Sequence, residues 1–264
     1  MENTGVNQFG KTSSVLIRSG FREGRTILED VAFTAPYKIM APFEKENGGI
    51  QVMPLCASAG IMKGDCQEFT YYIGKNSNLE ILSQSFDKIH KMDGGCASRK
   101  IRIQVEENAV LSYYPQPVIP FADSAFDSDM EIRLADETSH LFLLDILTCG
   151  RCAYNERFAY RRFSSKIRVY RGSRLIYRDN TRYEPALMPM EGIGMYEGYT
   201  HMANIFLTAC NGNEDEIWTI LDSFPDCEGG VTRLASGDLA LRVFGSRAQT
   251  LQALAARIKI LFER

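Results

Sequence analysis

The feature that most constrains this chain is a repeat of strand-like pairs. Four segments share it: QEFTYYIGKNSNLEILSQS from Gln67, SRKIRIQVEENAVLSYYPQ from Ser98, SDMEIRLADETSHLFLLDI from Ser128 and SSKIRVYRGSRLIYR from Ser164. Each is a short alternating run, a polar turn, and a second run opened by a leucine. Those leucines are Leu79, Leu111, Leu141 and Leu175, spaced 32, 30 and 34 residues apart. Ile101, Ile103 and Val105 alternate with Arg102 and Gln104; Ile167 and Val169 alternate with Lys166, Arg168 and Tyr170. Alternation at period two is the pattern of a strand with one buried face, and the intervening Asn, Gly, Glu and Asp supply turn chemistry. Strand pairs recurring every ~30 residues predict a mainly β fold of stacked layers, a coiled or solenoid-like β-body. A sandwich of evenly spaced hairpins is the alternative that the pattern leaves open.

After Tyr199 the pattern changes. HMANIFLTAC reads as a strand and NEDEIWTILDSF as a helix, with Glu214, Asp215 and Glu216 in the first turn, where the helix dipole favours anions. VTRLA and LALRVF flank Ser236-Gly237-Asp238, a hairpin by composition. The last helix, Arg247 to Phe262, places Leu251, Leu254, Ile258 and Leu261 on one face, and Ser246 with Gln249 has capping-box spacing. This β-α-β-β-α tail is too short, and too continuous in periodicity with what precedes it, to be separate. The expectation is one domain over 1–264, a β-body of 1–199 with a small two-helix α/β cap of 200–264.

Composition narrows the function classes. Thirty Lys and Arg against thirty-three Asp and Glu leave −3, too small a bias to name a polyanionic partner. No apolar run approaches the ~20 residues that span a bilayer, and MENTGVNQFGKTSS lacks a signal-peptide core. Seven cysteines form no paired framework, so they are expected to be reduced and the protein cytoplasmic.

Most catalytic signatures are absent. There is no GxxxxGK[ST], GxSxG or HExxH, and Gly192, Gly194 and Gly198 miss the dinucleotide spacing. Of the isolated histidines His90, His140 and His201, only His90 is a candidate for chemistry. Cys149-Gly150-Arg151-Cys152 is a C-x-x-C, but it follows a strand, LFLLDIL, and has no second half-site for zinc. Cys56, Cys66, Cys96, Cys210 and Cys227 read as small apolar fillers.

Charge is segregated along the chain. Residues 121–147 are acidic, with Asp123, Asp127, Asp129, Glu131, Asp136, Glu137 and Asp145 against Arg133. Residues 151–182 are basic and interleaved with Phe158, Tyr160, Phe163, Tyr170 and Tyr177, which reads naively as an RNA-binding strip. If the repeats stack, however, the basic layer lies beside the acidic one and the two pair across strands.

Four blocks have neither period: Pro36–Phe43 (PYKIMAPF), Gly60–Asp65 (GIMKGD), Ser83–Lys88 (SQSFDK) and Pro115–Phe121 (PQPVIPF). The last, with Tyr113 and Tyr114, reads as exposed apolar chain too broken by proline for a core strand. With Gly150-Arg151 and Glu156-Arg157-Phe158, these blocks resemble the urease accessory proteins UreD, called UreH in some organisms, from about Arg25 onward. Ala59-Gly60, where many members have two glycines, and the cysteines around Gly150-Arg151 depart from the family pattern.

The resemblance implies a non-enzymatic urease maturation factor with stacked β-layers. It implies binding to a helical partner of the UreF type and, through it, a nickel-carrying GTPase of the UreG type, with docking on apo-urease. Nickel would be a transferred ion rather than a tightly bound cofactor, passing by a water-filled route through the β-body; neither nucleic acid nor membrane is implied as partner. Candidate residues for that route or for an interface are those in or beside the family blocks: Asp65, Asp87, Lys88, Pro117, Phe121, Asp145, Arg151 and Glu156. Asp87 and Asp145 leave their layers at similar heights and are expected to point into one interior. Spaced carboxylates would pass a divalent cation weakly, without imidazole or thiolate to trap it. The competing expectation is that each carboxylate pairs with a neighbour such as Lys88 or Arg151. Two readings from other classes stand beside this one: a β-solenoid enzyme on an acidic polymer using Asp145, Arg151 and Glu156, and an RNA-binding module on the 151–182 strip.

Overall fold

A computed structural model describes residues 12–208 and 214–263. The chain opens with an antiparallel pair, β1 (Thr12–Arg22) and β2 (Arg25–Phe33), followed by short strands β3 (Tyr37–Lys38), β4 (Phe43–Glu44), β5 (Ile50–Val52) and β6 (Leu55–Cys56). Three coils then wind in succession: β7 (Cys66–Ile73), β8 (Asn78–Ile81) and β9 (Asp87–Ile89); β10 (Ala97–Val105), β11 (Val110–Tyr113) and β12 (Val118–Pro120); β13 (Ala125–Leu134) and β14 (His140–Thr148). A hairpin, β15 (Arg162–Arg171) and β16 (Arg174–Tyr183), ends the winding. The tail is β17 (His201–Leu207), α1 (Glu214–Asp222), β18 (Cys227–Arg233), β19 (Leu239–Gly245) and α2 (Ala248–Phe262).

Among the described residues these strands form two large facing sheets. One has seven strands in the order β16-β15-β13-β10-β7-β1-β2; the other has ten, with β18-β19-β17-β14-β11-β8-β5-β4 as its spine and β9 and β12 attached beside β14. Successive coils add parallel strands to both sheets, so equivalent repeat positions stack in register. Leu79, Leu111 and Leu141 are cross-strand neighbours, as are Tyr71, Ile103, Ile132 and Val169 in the opposite sheet. These side chains meet between the sheets in a buried core. The alternation is explicit in β10, where every second residue from Ala97 to Val105 is buried. The stacked, coiled body expected from the repeat is therefore present.

The fourth repeat departs from the expectation. Leu175 does not stack on Leu141; β16 folds back antiparallel on β15 in the same sheet, leaving Leu175 43% exposed. The physical cause is the short Gly172-Ser173 turn, with Gly172 at φ +56, which closes a hairpin instead of crossing between sheets. The place that a fourth crossing strand would fill beside β14 is taken by β17, which pairs antiparallel from Phe142↔Leu207 to Thr148↔His201.

The tail has the expected β-α-β-β-α order. Leu251, Leu254 and Ile258 of α2 are fully buried against the outer face of the ten-stranded sheet, with Ile217, Ile220 and Leu221 of α1 beside them. Glu214, Asp215 and Glu216 do open α1. The capping box does not form: Arg247, extended, stands at the N-cap of α2 and no side chain caps the helix. Residues 209–213, which include Cys210 and the end of the HMANIFLTAC reading, lie outside the described residues. No helix of the described chain is long and apolar enough to cross a membrane.

Pro115–Phe121 is also not the exposed stretch that its prolines suggest. Pro117, Val118 and Pro120 are buried, and Val118–Pro120 pairs in parallel with Asp87–Ile89. Prolines are tolerated there because β12 is a marginal strand of three residues whose ladder does not need every N–H. Tyr113, the last residue of β11, is buried too.

Candidate functional site

Between the sheets the apolar core is interrupted by a row of polar side chains. Gln67, Arg99, Ser128, Ser165 and Thr181 are in-register neighbours across β7, β10, β13, β15 and β16. The first four each stand two residues before an inward apolar position, Phe69, Ile101, Met130 and Ile167, whereas on the antiparallel β16 the inward residue two positions from Thr181 is the charged Asp179. Facing them, Asp145, Asn204 and Arg242 form a row across β14, β17 and β19. Leu141 and Leu143 set the inward face of β14, while Phe142, Leu144 and Ile146 point at the helices, so Asp145 faces the interior. The polar layer separates the main intersheet core from a second one around Phe126, Leu147, Phe163 and Met202.

At one end of the layer Arg99 is held on three sides. Its guanidinium bonds Asp87 at 2.7 Å and Gln67 Oε1 at 2.8 Å, and lies over the rings of Phe69 and Phe126. Such a buried cation is tolerable only because charge and hydrogen bonds are met together. Tyr37, Cys56 and Tyr113 join Asp87 and Arg99 around a small cavity of about 50 Å³. Burial pushes the pKa of both tyrosines up, so they are neutral hydrogen-bonding groups at ordinary pH.

At the other end Asp179 reaches from the seven-stranded sheet to Arg242 on the ten-stranded one. Thr181 donates to Asp179 at 2.8 Å and Arg242 Nε donates to Asn204 at 2.9 Å. Arg242 also lines a cavity of about 290 Å³ with Tyr196, Tyr199 and Glu228. The layer thus has a pocket at each end.

Asp145 occupies the middle and differs from its neighbours. Asp87 and Asp179 have arginine partners, whereas the Asp145 carboxylate makes no ion pair among the described residues. Burial, followed by the negative charge of Asp179, pushes its carboxyl up to about 6; Arg99 opposes the shift and Asp87 adds to it. It is a carboxylate close to half protonated near pH 6, with no fixed cation of its own.

The other candidates are elsewhere. Lys88 follows Asp87 on β9 and so points to the opposite face, where it lines a groove of about 820 Å³ with His90, Phe121, Arg151, Tyr154 and Arg247. Arg151 lies over Phe121 at 4.1 Å and bonds Glu156 Oε2 through Nε at 2.8 Å. That bond, outweighing the opposing effect of burial, holds the Glu156 carboxyl below its ordinary value. Pro117 is buried beside Asp87, its carbonyl accepting the Asp87 N–H at 3.0 Å. Asp65 belongs to neither place: its carboxylate caps its own turn, accepting the Met62 N–H at 2.7 Å. Among the described residues no three His, Cys, Asp or Glu side chains cluster to hold a metal ion.

This geometry bears on the two alternative readings. Asp145 faces the interior while Arg151 and Glu156 clasp each other at the groove, so the three do not converge as an enzyme's acid, base and anchor. The basic strip is dispersed as well. Acidic β13 lies between β10 and β15, and Arg168 bonds Asp129 at 2.8 Å while Arg102 reaches the same carboxylate at 2.9 Å. Arg171 turns to buried Asp238, Arg157 to Glu191 and Arg182 to Glu184. The pairing expected from stacked acidic and basic layers is the arrangement found.

Sequence reading missed Gln67, Arg99, Ser128, Ser165, Thr181, Asp179, Asn204 and Arg242. A signal for the first four was present: in every repeat a polar residue stands two positions before the first inward apolar residue, on the inward parity. Asn204 and Arg242 lie outside the repeats, so no equivalent repeat position marks them.

Comparison with known proteins finds relatives along nearly the whole chain. The family model described as UreD urease accessory protein matches residues 12–263. The urease accessory protein UreH of Helicobacter pylori strain P12 is 35% identical over 254 residues, covering 96% of each chain. The urease accessory protein UreD of Acetivibrio thermocellus is 35% identical over 257 residues, covering 96% of this chain and 98% of that one. A more distant relative, the urease accessory protein UreD of Flavobacterium johnsoniae, is 28% identical over 241 residues.

Proposed function

Because the chain belongs to the UreD family of urease accessory proteins, we propose that it is a non-catalytic maturation factor that passes nickel through its own body to apo-urease. In this reading it binds a UreF-type helical accessory protein, receives the ion from a UreG-type GTPase held by that partner, and docks on apo-urease.

The observation that carries the reading is the polar layer with a pocket at each end. A hydrated divalent cation needs oxygen ligands and water along its way, and an apolar core supplies neither. The two arginines do not bar it, since Arg99 is neutralised by Asp87 and Arg242 by Asp179. Asp145, midway and without a cation, is the residue with a negative charge to lend. One carboxylate is a weak ligand that releases what it binds, as transit requires. Occupancy would compete with protonation, so delivery should weaken as pH falls through about 6.

The test is urease activation with Asp87→Ala, Asp145→Ala and the double variant, each checked for folding and for binding to its partners. Loss of activation with assembly intact is the expected result. Full activation by an intact double variant would remove these carboxylates from the path and leave the protein a tether.

A further inference from the structure

The polar layer makes no use of the C-x-x-C at its margin. Cys149 is the residue after β14 and is fully buried; Cys152, three residues on, is exposed at the start of a single 3₁₀ turn, Cys152–Tyr154. Their sulfurs are 3.4 Å apart. Gly150, at φ +134, makes this approach possible: a Cβ there would come within 2.7 Å of the Glu156 carbonyl oxygen. The two cysteines differ in anchorage. Cys149 is fixed to the frame through its N–H on the Thr200 carbonyl and its carbonyl on the Phe158 N–H, both at 2.7 Å. Cys152 belongs to a turn closed on itself, through bonds such as Asn155 N–H to the Cys152 carbonyl at 3.0 Å.

We propose that Cys149 and Cys152 are a thiol–disulfide modification site, whose oxidation ties the 150–156 turn to the sheet. The co-reactant is a low-molecular-weight disulfide such as glutathione disulfide. The exposed Cys152 thiolate attacks one of its sulfurs; the S–S bond breaks and one glutathione leaves, taking a proton. Cys149 Sγ, giving its proton to water, then attacks Cys152 Sγ and expels the second glutathione. Two protein thiols are oxidised and one glutathione disulfide is reduced to two thiols; excess reduced glutathione reverses both steps. Burial, and then the neighbouring Cys152 thiol, push the Cys149 thiol up to about 12. Cys149 is therefore the slow, resolving partner and Cys152 the point of entry. The site is independent of any nickel route, and it sits beside Arg151 and Tyr154, so its state sets how firmly one wall of the groove is held.

Arg151 lies between the cysteines, so trypsin separates them into the peptides Leu134–Arg151 and Cys152–Arg157. The full-length protein is incubated with glutathione disulfide, quenched in acid, blocked with N-ethylmaleimide and digested without reductant. The expected major species is these two peptides joined, two hydrogens lighter than their sum, and dissolved by reduced glutathione. Cys149→Ser should instead hold glutathione on Cys152, and Cys152→Ser should leave Cys149 unmodified. Amide exchange across 152–156 should slow on oxidation. Blocked thiols on both peptides, a persistent glutathione adduct on Cys152 of the unmutated protein, or a link from Cys152 to another cysteine would each overturn the assignment; unchanged amide exchange in the linked form would overturn the tie to the sheet.

Discussion

At the scale of single residues, one position in β14 decides how the interior responds to pH. Asp145 stands where the leucine alternation of its strand would place another apolar residue, and it faces Asn204 and Arg242 across the sheet. Its carboxyl is raised in the folded protein, so folding takes up a proton there. That contribution to stability is present below about pH 4 and is lost as pH rises through about 6. Asp145→Asn should therefore match the unmutated protein near pH 4 and exceed it at pH 7. The expected gain is about 1–2 kcal/mol, the full shift being discounted for the water that reaches a half-buried carboxylate. Urea unfolding at both pH values measures the difference; an equal offset at both would mean that Asp145 does not titrate between them. The sequence marked Asp145 and Asp87 as carboxylates near family blocks, and their common interior was inferable from stacking. Arg99 was missed although its parity with Ile101 places it inside, because a basic residue in an alternating strand normally belongs to the wet face.

At the scale of elements, helix α2 shows what patterning carries and what it omits. The leucine stripe fixed which face is buried, and the structure buries Leu254 completely. Leu254→Asp should cost about 3–5 kcal/mol, the sum of a lost core contact and a charge without a partner, read as a lowered urea midpoint. A folded variant of unchanged midpoint would move the stripe from core to interface. The second anchor of α2 was invisible to periodicity because it lies in β8, far away in sequence. Glu80 is 3% exposed and binds Lys259 of α2 at 2.9 Å and Lys45 at 2.6 Å, with Tyr114 and Gln51 completing its shell. Against the cost of burial, the hydrogen bonds from Lys45, Tyr114 and Lys259 lower its carboxyl to about 2. The sign is opposite to that of Asp145: stability from Glu80 is present above about pH 4.5 and is lost as pH falls towards 2. Glu80→Gln should lower stability at pH 7 by about 1–3 kcal/mol, since two partly buried lysines lose the Glu80 anion and keep only the more exposed Glu263 between them. The loss should vanish near pH 2, and denaturant titrations across that range would expose a constant offset if the network were merely steric.

At the scale of the whole molecule, the question is whether the winding body and the α/β tail unfold as one. Composition and periodicity place a boundary near Tyr199, yet the ten-stranded sheet runs through it without a break. Strand β17 of the tail pairs with β14 of the last coil along its length, and Phe206 of the tail is part of the core between the sheets. A break there would expose the sheet edge and the apolar faces on both sides, so the two parts are expected to share one transition. The fold provides independent reporters: Trp218 in α1 is the sole tryptophan and signals the tail, while far-ultraviolet circular dichroism is dominated by the strands of the body. Leu111, fully buried between Leu79 and Leu141 in the stack, supplies the perturbation. Leu111→Ala should cost about 3 kcal/mol by leaving a cavity that the flanking leucines cannot close. If the chain is one cooperative unit, tryptophan fluorescence and circular dichroism shift to the same lower midpoint, although Trp218 lies outside the stack. Leu175→Ala, at the exposed position where the repeat turns back, should shift neither by more than about 0.5 kcal/mol. A Leu111→Ala protein whose circular dichroism midpoint falls while its fluorescence midpoint stays would show that the tail holds together alone, and would divide the sheet at β14 and β17.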